Sequence, residues 1–284
     1  MHNTAEHWNF MLDPGLYVVA TPIGNLEDIS FRAVRVLKEA NCIAAEDTRH
    51  SRILLNHYGI DTNLVSLHEH NEENQIPRLL ARIVKGEAIA LISDAGTPLI
   101  SDPGFQLVRA LAAENLPVFS VPGPSAVTAA LSIAGIASDR FRFEGFLPAK
   151  SSSRIKRLTS LERDTETLIF FESSHRIEAS IADMLQVFGP TREAALCREL
   201  TKRFETVIRG SLEEIQIRIG ADGDQRRGEF VVLVSGSQDH APGVDGLELA
   251  CALREHLPAS QAAKVAAKIS GTPRKDIYES LKES

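Results

Sequence analysis

The 284-residue sequence predicts an α/β protein with two α/β domains and a small helical domain near its C-terminal end. Three observations carry that expectation. In residues 15–125, short apolar runs alternate with amphipathic stretches of about ten to fifteen residues, the pattern of βαβ units around a mainly parallel sheet. Around residues 138–150 the rhythm changes and a second α/β region begins. Beyond residue 236, a Gly- and Pro-containing linker leads into three short helical patterns.

Periodicity places the elements in order. Residues 16–20 read as a strand, and 29–40 as an amphipathic helix with Ile29, Ala33, Val36, Leu37 and Ala40 on its apolar face. Residues 42–45 form a short strand running into Glu46-Asp47-Thr48-Arg49-His50. A strand at 64–67, a helix over 71–85, and strands at 88–92 and 118–121 complete the first set, with helices over 105–113 and 126–134. In the second region Phe141, Phe143 and Phe146 mark a strand. A helix over 152–162, a strand at 167–171 and a helix over 176–188 follow, the last ended by Gly189-Pro190. Strands at 193–197 and 204–208 are close enough to pair antiparallel, which makes this a mixed sheet. A helix over 211–219 and a strand at 229–234 close the region. The domain limits are therefore 15–125 and 126–236, with residues 1–14 a poorly ordered extension and 237–245 a linker. In 246–284, helices over 247–255, 259–268 and 273–281 follow, and Ser270-Gly271-Thr272 resembles the turn of a helix-turn-helix.

Composition narrows the class. Hydrophobic residues make up 43% and charged residues 24%, as in ordinary globular chains. No apolar run approaches the roughly 18–20 residues of a membrane span, and no basic-then-apolar leader opens the chain. Cys42, Cys197 and Cys251 are scattered, which points to a reducing cytoplasm and not to a zinc ribbon. A net charge of −7 argues against wholesale coating by nucleic acid but allows local basic surface. Two runs offer one: Lys150, Arg154, Lys156, Arg157 and Arg163, and then Lys264, Lys268, Arg274 and Lys275. Solvated helix faces explain such runs more often than RNA does.

Chemistry concentrates in loops after strands, where open α/β sheets bind ligands. The most informative is Ser93–Gly104, SDAGTPLISDPG, and Pro122-Gly123-Pro124-Ser125 repeats its grammar after the next strand. Thr21–Asp28 has Gly and Pro suited to close backbone approach but no GxGxxG. The adjacent acids Glu46 and Asp47, with Arg49 nearby, either cap and pair at a helix start or face the crevice. Glu172 and Glu199 each close an apolar strand, with His175, Arg176 and Lys202 nearby. Ser173 or Ser174 can cap the helix that follows. HExxH, clustered Cys/His, GxxxxGK[ST] and GxSxG are all missing, so a protein-held metal, a P-loop and an α/β-hydrolase site are not expected.

In order along the chain, TPIGNLEDIS, AEDTRHS, SDAGTPLISDPG, PGPSA, DRFRFEGFLPAK, FFESSHR, RELTK-FET and GEFV resemble one family. It is the bacterial small-subunit ribosomal RNA methyltransferase family that methylates the 2′-hydroxyl of a decoding-centre cytidine, a branch of the tetrapyrrole (class III) methylase superfamily. The resemblance implies two α/β domains with S-adenosylmethionine in the cleft between them. It implies that the cofactor lies against Asp94, Ala95, Gly96, Thr97, Leu99 and Ser101, and against Gly123, Ser125 and Ala126. Phe171, Glu172, Leu200, Thr201 and Val231 would hold it from the second domain. Asp47, Glu172 and His175 are the candidate bases, with Arg49, Arg176 and Lys202 orienting ribose or phosphate. The basic runs would contact 16S ribosomal RNA within the small ribosomal subunit, and the superfamily suggests a homodimer. A corrin or porphyrin methyltransferase and a non-catalytic ribosome-assembly module are the rival expectations; the basic helical tail disfavours the first and the crevice loops the second.

Overall fold

The computed structural model describes residues 12–237 and 246–283; the expected extension up to residue 11 and the linker from 238 to 245 lie outside the described residues. The first sheet is built from β1 (Gly15–Val19), β2 (Cys42–Ala45), β3 (Leu64–Ser66), β4 (Ala88–Ile92) and β5 (Val118–Val121). All its pairings are parallel and its order is β3-β2-β4-β1-β5. β2 and β4 are buried at every residue, as a sheet covered on both faces requires. On one face α1 (Phe31–Glu39) and α2 (Thr48–His57) bring Val36, Leu37 and Leu55 against Ile43 and Ala90. On the other, α3 (Glu72–Val84) and α4 (Phe105–Ala113) bring Leu79, Ile83, Leu107 and Leu111 against Ile89 and Leu91. Gly104 has no side chain to cap α4, so the buried Glu72 accepts the Leu107 N–H from α3 at 3.1 Å. That contact fixes the far end of the loop 93–104.

α5 (Ala126–Ala134) leaves the first sheet and packs Val127, Ala130 and Ala134 on Ile169, Cys197, Val231 and Leu233 of the second. That sheet has the order β6-β7-β10-β8-β9. Its strands are β6 (Phe141–Phe146), β7 (Thr167–Ser173), β8 (Glu193–Arg198), β9 (Thr206–Ser211) and β10 (Glu229–Val234). β6 and β7 pair in parallel and the rest antiparallel, the mixed sheet that the closely spaced strands predict. α6 (Ser151–Thr159), α7 (Ile177–Phe188) and α8 (Leu212–Ala221) cover its other face with Leu158, Ile181, Met184 and Ile215. Beyond the linker, α9 (Gly246–Leu253), α10 (Ala259–Ser270) and α11 (Arg274–Glu283) share a small core of Ala250, Ala263, Ala266, Ile277 and Leu281. Gly271, at φ 75°, ends α10 in the left-handed conformation that glycine tolerates best.

The expected basic face of α6 needs correction. Arg154 is buried: its Nε donates to Asp183 at 2.7 Å and its Nη1 to the carbonyls of Pro148 and Ala149. It ties α6 to α7 and is out of reach of RNA. Arg157 is engaged with Glu144 at 3.0 Å, whereas Lys150, Lys156 and Arg163 stay exposed. Sequence spacing counts the charges of this run without distinguishing the one that turns inward. Arg154→Ala leaves Asp183 without its cation, so the protein should lose about 3 kcal/mol of stability in urea unfolding. Arg154→Met with Asp183→Leu should recover most of that loss; a single variant as stable as the parent would show that the pair does not hold α6 to α7.

Candidate functional site

The C-terminal edge of the first sheet faces the strand ends of the second across a cavity of about 530 Å³. Most of its polar wall comes from the first domain, with Glu46 after β2, Asp94, Thr97, Ser101 and Asp102 after β4, and Ser125 before α5; Glu172, Ser173, Ser174 and Glu229 add to it from the second. Its apolar wall is mostly second-domain, with Phe146, Phe171, Leu200, Phe230 and Val231, joined by Ile23 and Ile100.

The loop 93–104 is held at both edges. Thr21 N–H donates to the Gly96 carbonyl at 2.9 Å and Gly96 N–H to the Thr21 carbonyl at 3.0 Å, while the Thr97 hydroxyl donates to the Pro124 carbonyl at 3.0 Å. At and just after these anchors the backbone turns left-handed at Gly96 (φ 85°), Leu99 (φ 73°) and Ser101 (φ 68°). Across the cleft Glu199 (φ 51°) and Thr201 (φ 65°) do the same. Of the non-glycine residues with positive φ among the described residues, only Asn115 lies elsewhere. Such conformations cost about 1 kcal/mol or more each and gather at functional sites.

Three carboxylates crowd the polar wall. Burial, then the charges of Asp102 and Asp94, push Glu46 up to about 7. Burial likewise pushes Asp102 up to about 6; the Ser93 hydroxyl opposes this and Asp94 adds to it. Asp94 is oriented by the Asp47 N–H, which donates to its Oδ1 at 3.1 Å. The wall is therefore short of positive charge, and a cationic ligand group would relieve the repulsion.

Several sequence expectations fall differently. Asp94, Ala95, Gly96, Thr97, Ser101, Ser125, Ala126, Phe171, Glu172, Leu200 and Val231 line the cavity. Leu99 instead packs into the first-domain core, and Gly123 sits against Ala20, where a Cβ would lie 3.1 Å from the alanine's own. Thr201 accepts the Asn25 N–H at 3.1 Å outside the cavity. Asp47 is a helix cap: its carboxylate accepts the Arg49 and His50 N–H groups and the Arg49 side chain, which holds it below the usual carboxylate range. Arg49 is 92% exposed and His175 is exposed, and neither lines the cavity. Glu172 does line it, but its oxygens accept the Ser180 hydroxyl at 2.6 Å and the Ser173 N–H at 2.9 Å, with Arg176 paired at 2.9 Å. Through these contacts it locks β7 to α7. Arg176 also donates from Nη1 to the Leu147 carbonyl at 3.2 Å. Lys202 is paired with Glu199 and Glu229, each at 2.9 Å, and faces a second groove. Glu46 and Asp102 belong to motifs that the sequence reading places at the crevice, but neither is singled out there as a site residue. Their position in the loops that follow β2 and β4 is the signal that could have found them.

These features define a class. Residues 15–216 match the family described as Tetrapyrrole (Corrin/Porphyrin) Methylases, and residues 241–281 the one described as RsmI C-terminal HTH domain. Among solved structures, uroporphyrin-III-C-methyltransferase from Thermus thermophilus superposes with TM-score 0.56 at 21% identity, over 78% of this chain and 94% of that one. Diphthine synthase does so with TM-score 0.58 at 18% identity, over 78% and 89%. The fold is thus of the tetrapyrrole methylase type. The Xylella fastidiosa (strain Temecula1) protein named Ribosomal RNA small subunit methyltransferase I is 53% identical over 94% of this chain and 99% of its own length. Relatives of the same name from Pseudomonas aeruginosa and Escherichia coli O157:H7 are 51% and 46% identical, each over 93% of this chain and over 95% and 93% of their own lengths. The chain belongs to the ribosomal RNA small subunit methyltransferase I family.

The crowded carboxylates have a consequence for stability. Folding raises Glu46 from its ordinary 4.5 to about 7, so the folded state keeps a proton that the unfolded chain releases in that window. The contribution is full below pH 4.5 and lost as pH rises through 7. Glu46→Gln should melt higher than the parent by about 2 °C or more near pH 8, and calorimetric scans should converge toward pH 4. An unchanged difference across that range would contradict the assignment.

Proposed function

We propose that the chain is an S-adenosylmethionine-dependent methyltransferase acting on the ribose 2′-hydroxyl of a decoding-centre cytidine in 16S ribosomal RNA. The observation that carries this reading is the cavity itself, acidic on one wall and apolar on the other, in a chain whose full-length relatives are named for small-subunit ribosomal RNA methylation. Its volume falls within the range of about 300–1,000 Å³ usual for cofactor pockets. The cofactor carries two positive groups and an adenine; Asp94 and Asp102 suit the first, and Phe171, Phe230 and Val231 the second. Gly96 lets the loop come close, since a Cβ there would stand 3.2 Å from Ile23 Cγ2 at a φ that side chains rarely adopt.

When bound, S-adenosylmethionine supplies an electrophilic methyl group. The chain's residues then have two tasks: to align the attacking oxygen, and to take its proton. Glu46 suits the second because its carboxylate titrates near neutrality and has no ion pair with a cation among the described residues. Asp102 is the weaker base of the two and accepts from Ser93. The exposed Lys264, Lys268, Arg274 and Lys275 of the C-terminal helices would add RNA affinity away from the chemistry. Assembly as a homodimer, action on the small subunit and a cytoplasmic location complete the proposal. No helix among the described residues is long and apolar enough to cross a membrane.

Gly96→Val should abolish S-adenosylmethionine binding in titration calorimetry while the melting curve stays cooperative; normal binding by a folded variant would remove the cofactor from this loop. Glu46→Gln should lower single-turnover methylation by about 10²-fold or more and erase the rise of rate with pH through 7, with cofactor affinity little changed. Weakened cofactor binding with a normal rate would make Glu46 an anchor and not the base.

A further inference from the structure

A second groove, of about 690 Å³, lies at the seam between the two domains, walled by Asn25, Leu26 and Glu27 on one side and Thr201, Lys202 and Arg203 on the other. It adjoins the cavity: Ile23 and Leu200 line the cavity, and their chain neighbours Gly24 and Thr201 line the groove. Its walls are pinned by the Asn25–Thr201 hydrogen bond and by the Tyr58 hydroxyl, which donates to the Leu26 carbonyl at 2.6 Å. Lys202, balanced by two glutamates, braces the loop.

α2 connects the two sites. Its first turn touches the cavity wall through Asp47 and Asp94, and its last residue, His57, lines the groove. Arg49, Arg52, Ile53 and Asn56 recur at helical spacing on its solvent face, all exposed. The ten residues of α2 span about 15 Å, room for more than one phosphate contact. At the groove, Arg203 stands over the ring of Phe204, 5.5 Å from its centroid, and that ring is 62% exposed. Neither Arg52 nor Arg203 has a carboxylate partner among the described residues. Arg203 thus puts a guanidinium group beside an exposed aromatic ring, while Arg52 adds charge along α2; proteins hold single-stranded nucleic acid by such means, with charge for the backbone and a flat face for a base. Glu27 on the facing wall repels phosphate and keeps a strand on the Arg203 side.

We propose that the face of α2 and the seam groove form a track for single-stranded RNA running out of the methylation site, with Arg52 and Arg203 on phosphates and Phe204 stacking a base beside the target nucleotide. The proposal rests on the RNA-methyltransferase reading above and adds the surface that presents the substrate.

The test uses the full chain and a short fluorescein-labelled single-stranded RNA of the decoding region, read by anisotropy across a salt series. Arg52→Ala with Arg203→Ala should weaken binding about tenfold or more and flatten the log–log salt slope by about 1.4, about 0.7 per lost phosphate contact. Phe204→Ala should weaken binding at least about fivefold with the slope unchanged, because stacking releases no counterions. Calorimetric affinity for S-adenosylmethionine and the melting temperature should match the parent in all of these. Arg109→Ala, on the opposite face of the first sheet, should bind RNA as the parent does. Parental affinity and slope in the double-arginine variant, or parental affinity in Phe204→Ala, would overturn the track. If the parent itself transfers no methyl group to small-subunit RNA, the underlying reading fails instead.

Discussion

The paired backbone hydrogen bonds between Thr21 and Gly96 join the loop after β1 to the loop after β4, and the rest of the site hangs from them. With Thr97 bonded to Pro124, they tie together the ends of β1, β4 and β5. The loop that leaves these anchors can then hold Leu99 and Ser101 in left-handed conformations that an unsupported chain would abandon. Only with that loop in place do Asp94 and Asp102 stand beside Glu46, and only then does Ile23 reach the apolar cluster of the second domain. Backbone geometry thus comes first, and the electrostatics of the cavity follow from it.

Those electrostatics run against stability and toward function. Burial, and then the repulsion among three carboxylates on one wall, raises Glu46 to about 7 and Asp102 to about 6. Elsewhere the protein pairs its buried charges: Arg154 with Asp183, and Glu172 with Arg176 and Ser180. The contrast separates charges that hold the fold from charges left available to a ligand. Glu46 can still exchange a proton.

Much of this was legible in the sequence. The alternation of apolar runs and amphipathic stretches gave the parallel first sheet, and the short interval between residues 193 and 208 gave the antiparallel pair in the second. The Gly/Pro loops pointed to the cavity because such loops at strand ends can come close to a ligand. Side-chain direction was not legible. Asp47 and Glu46 are adjacent, yet one caps a helix and the other faces the cavity. Glu172 sits at a strand end as a functional acid would, but its partner Ser180 lies eight residues on, across a turn that no local pattern predicts. Arg154 belongs to a basic run by composition and to the core by helical phase, and phase prevails. The seam groove draws on residues far apart in sequence, so it emerges only once the two domains meet.

The central claim is that a cofactor held in the interdomain cavity gives its methyl group to a ribose oxygen of small-subunit RNA. The most direct measurement incubates the purified chain with unmethylated small ribosomal subunits and S-adenosylmethionine carrying a deuterated methyl group, followed by mass spectrometry of the digested nucleosides. The account predicts a labelled 2′-O-methylcytidine, mapped to a single decoding-centre position, that is missing when the Gly96→Val protein is used. Label on a base carbon or nitrogen, or none on RNA while a tetrapyrrole offered in parallel is methylated, would contradict it.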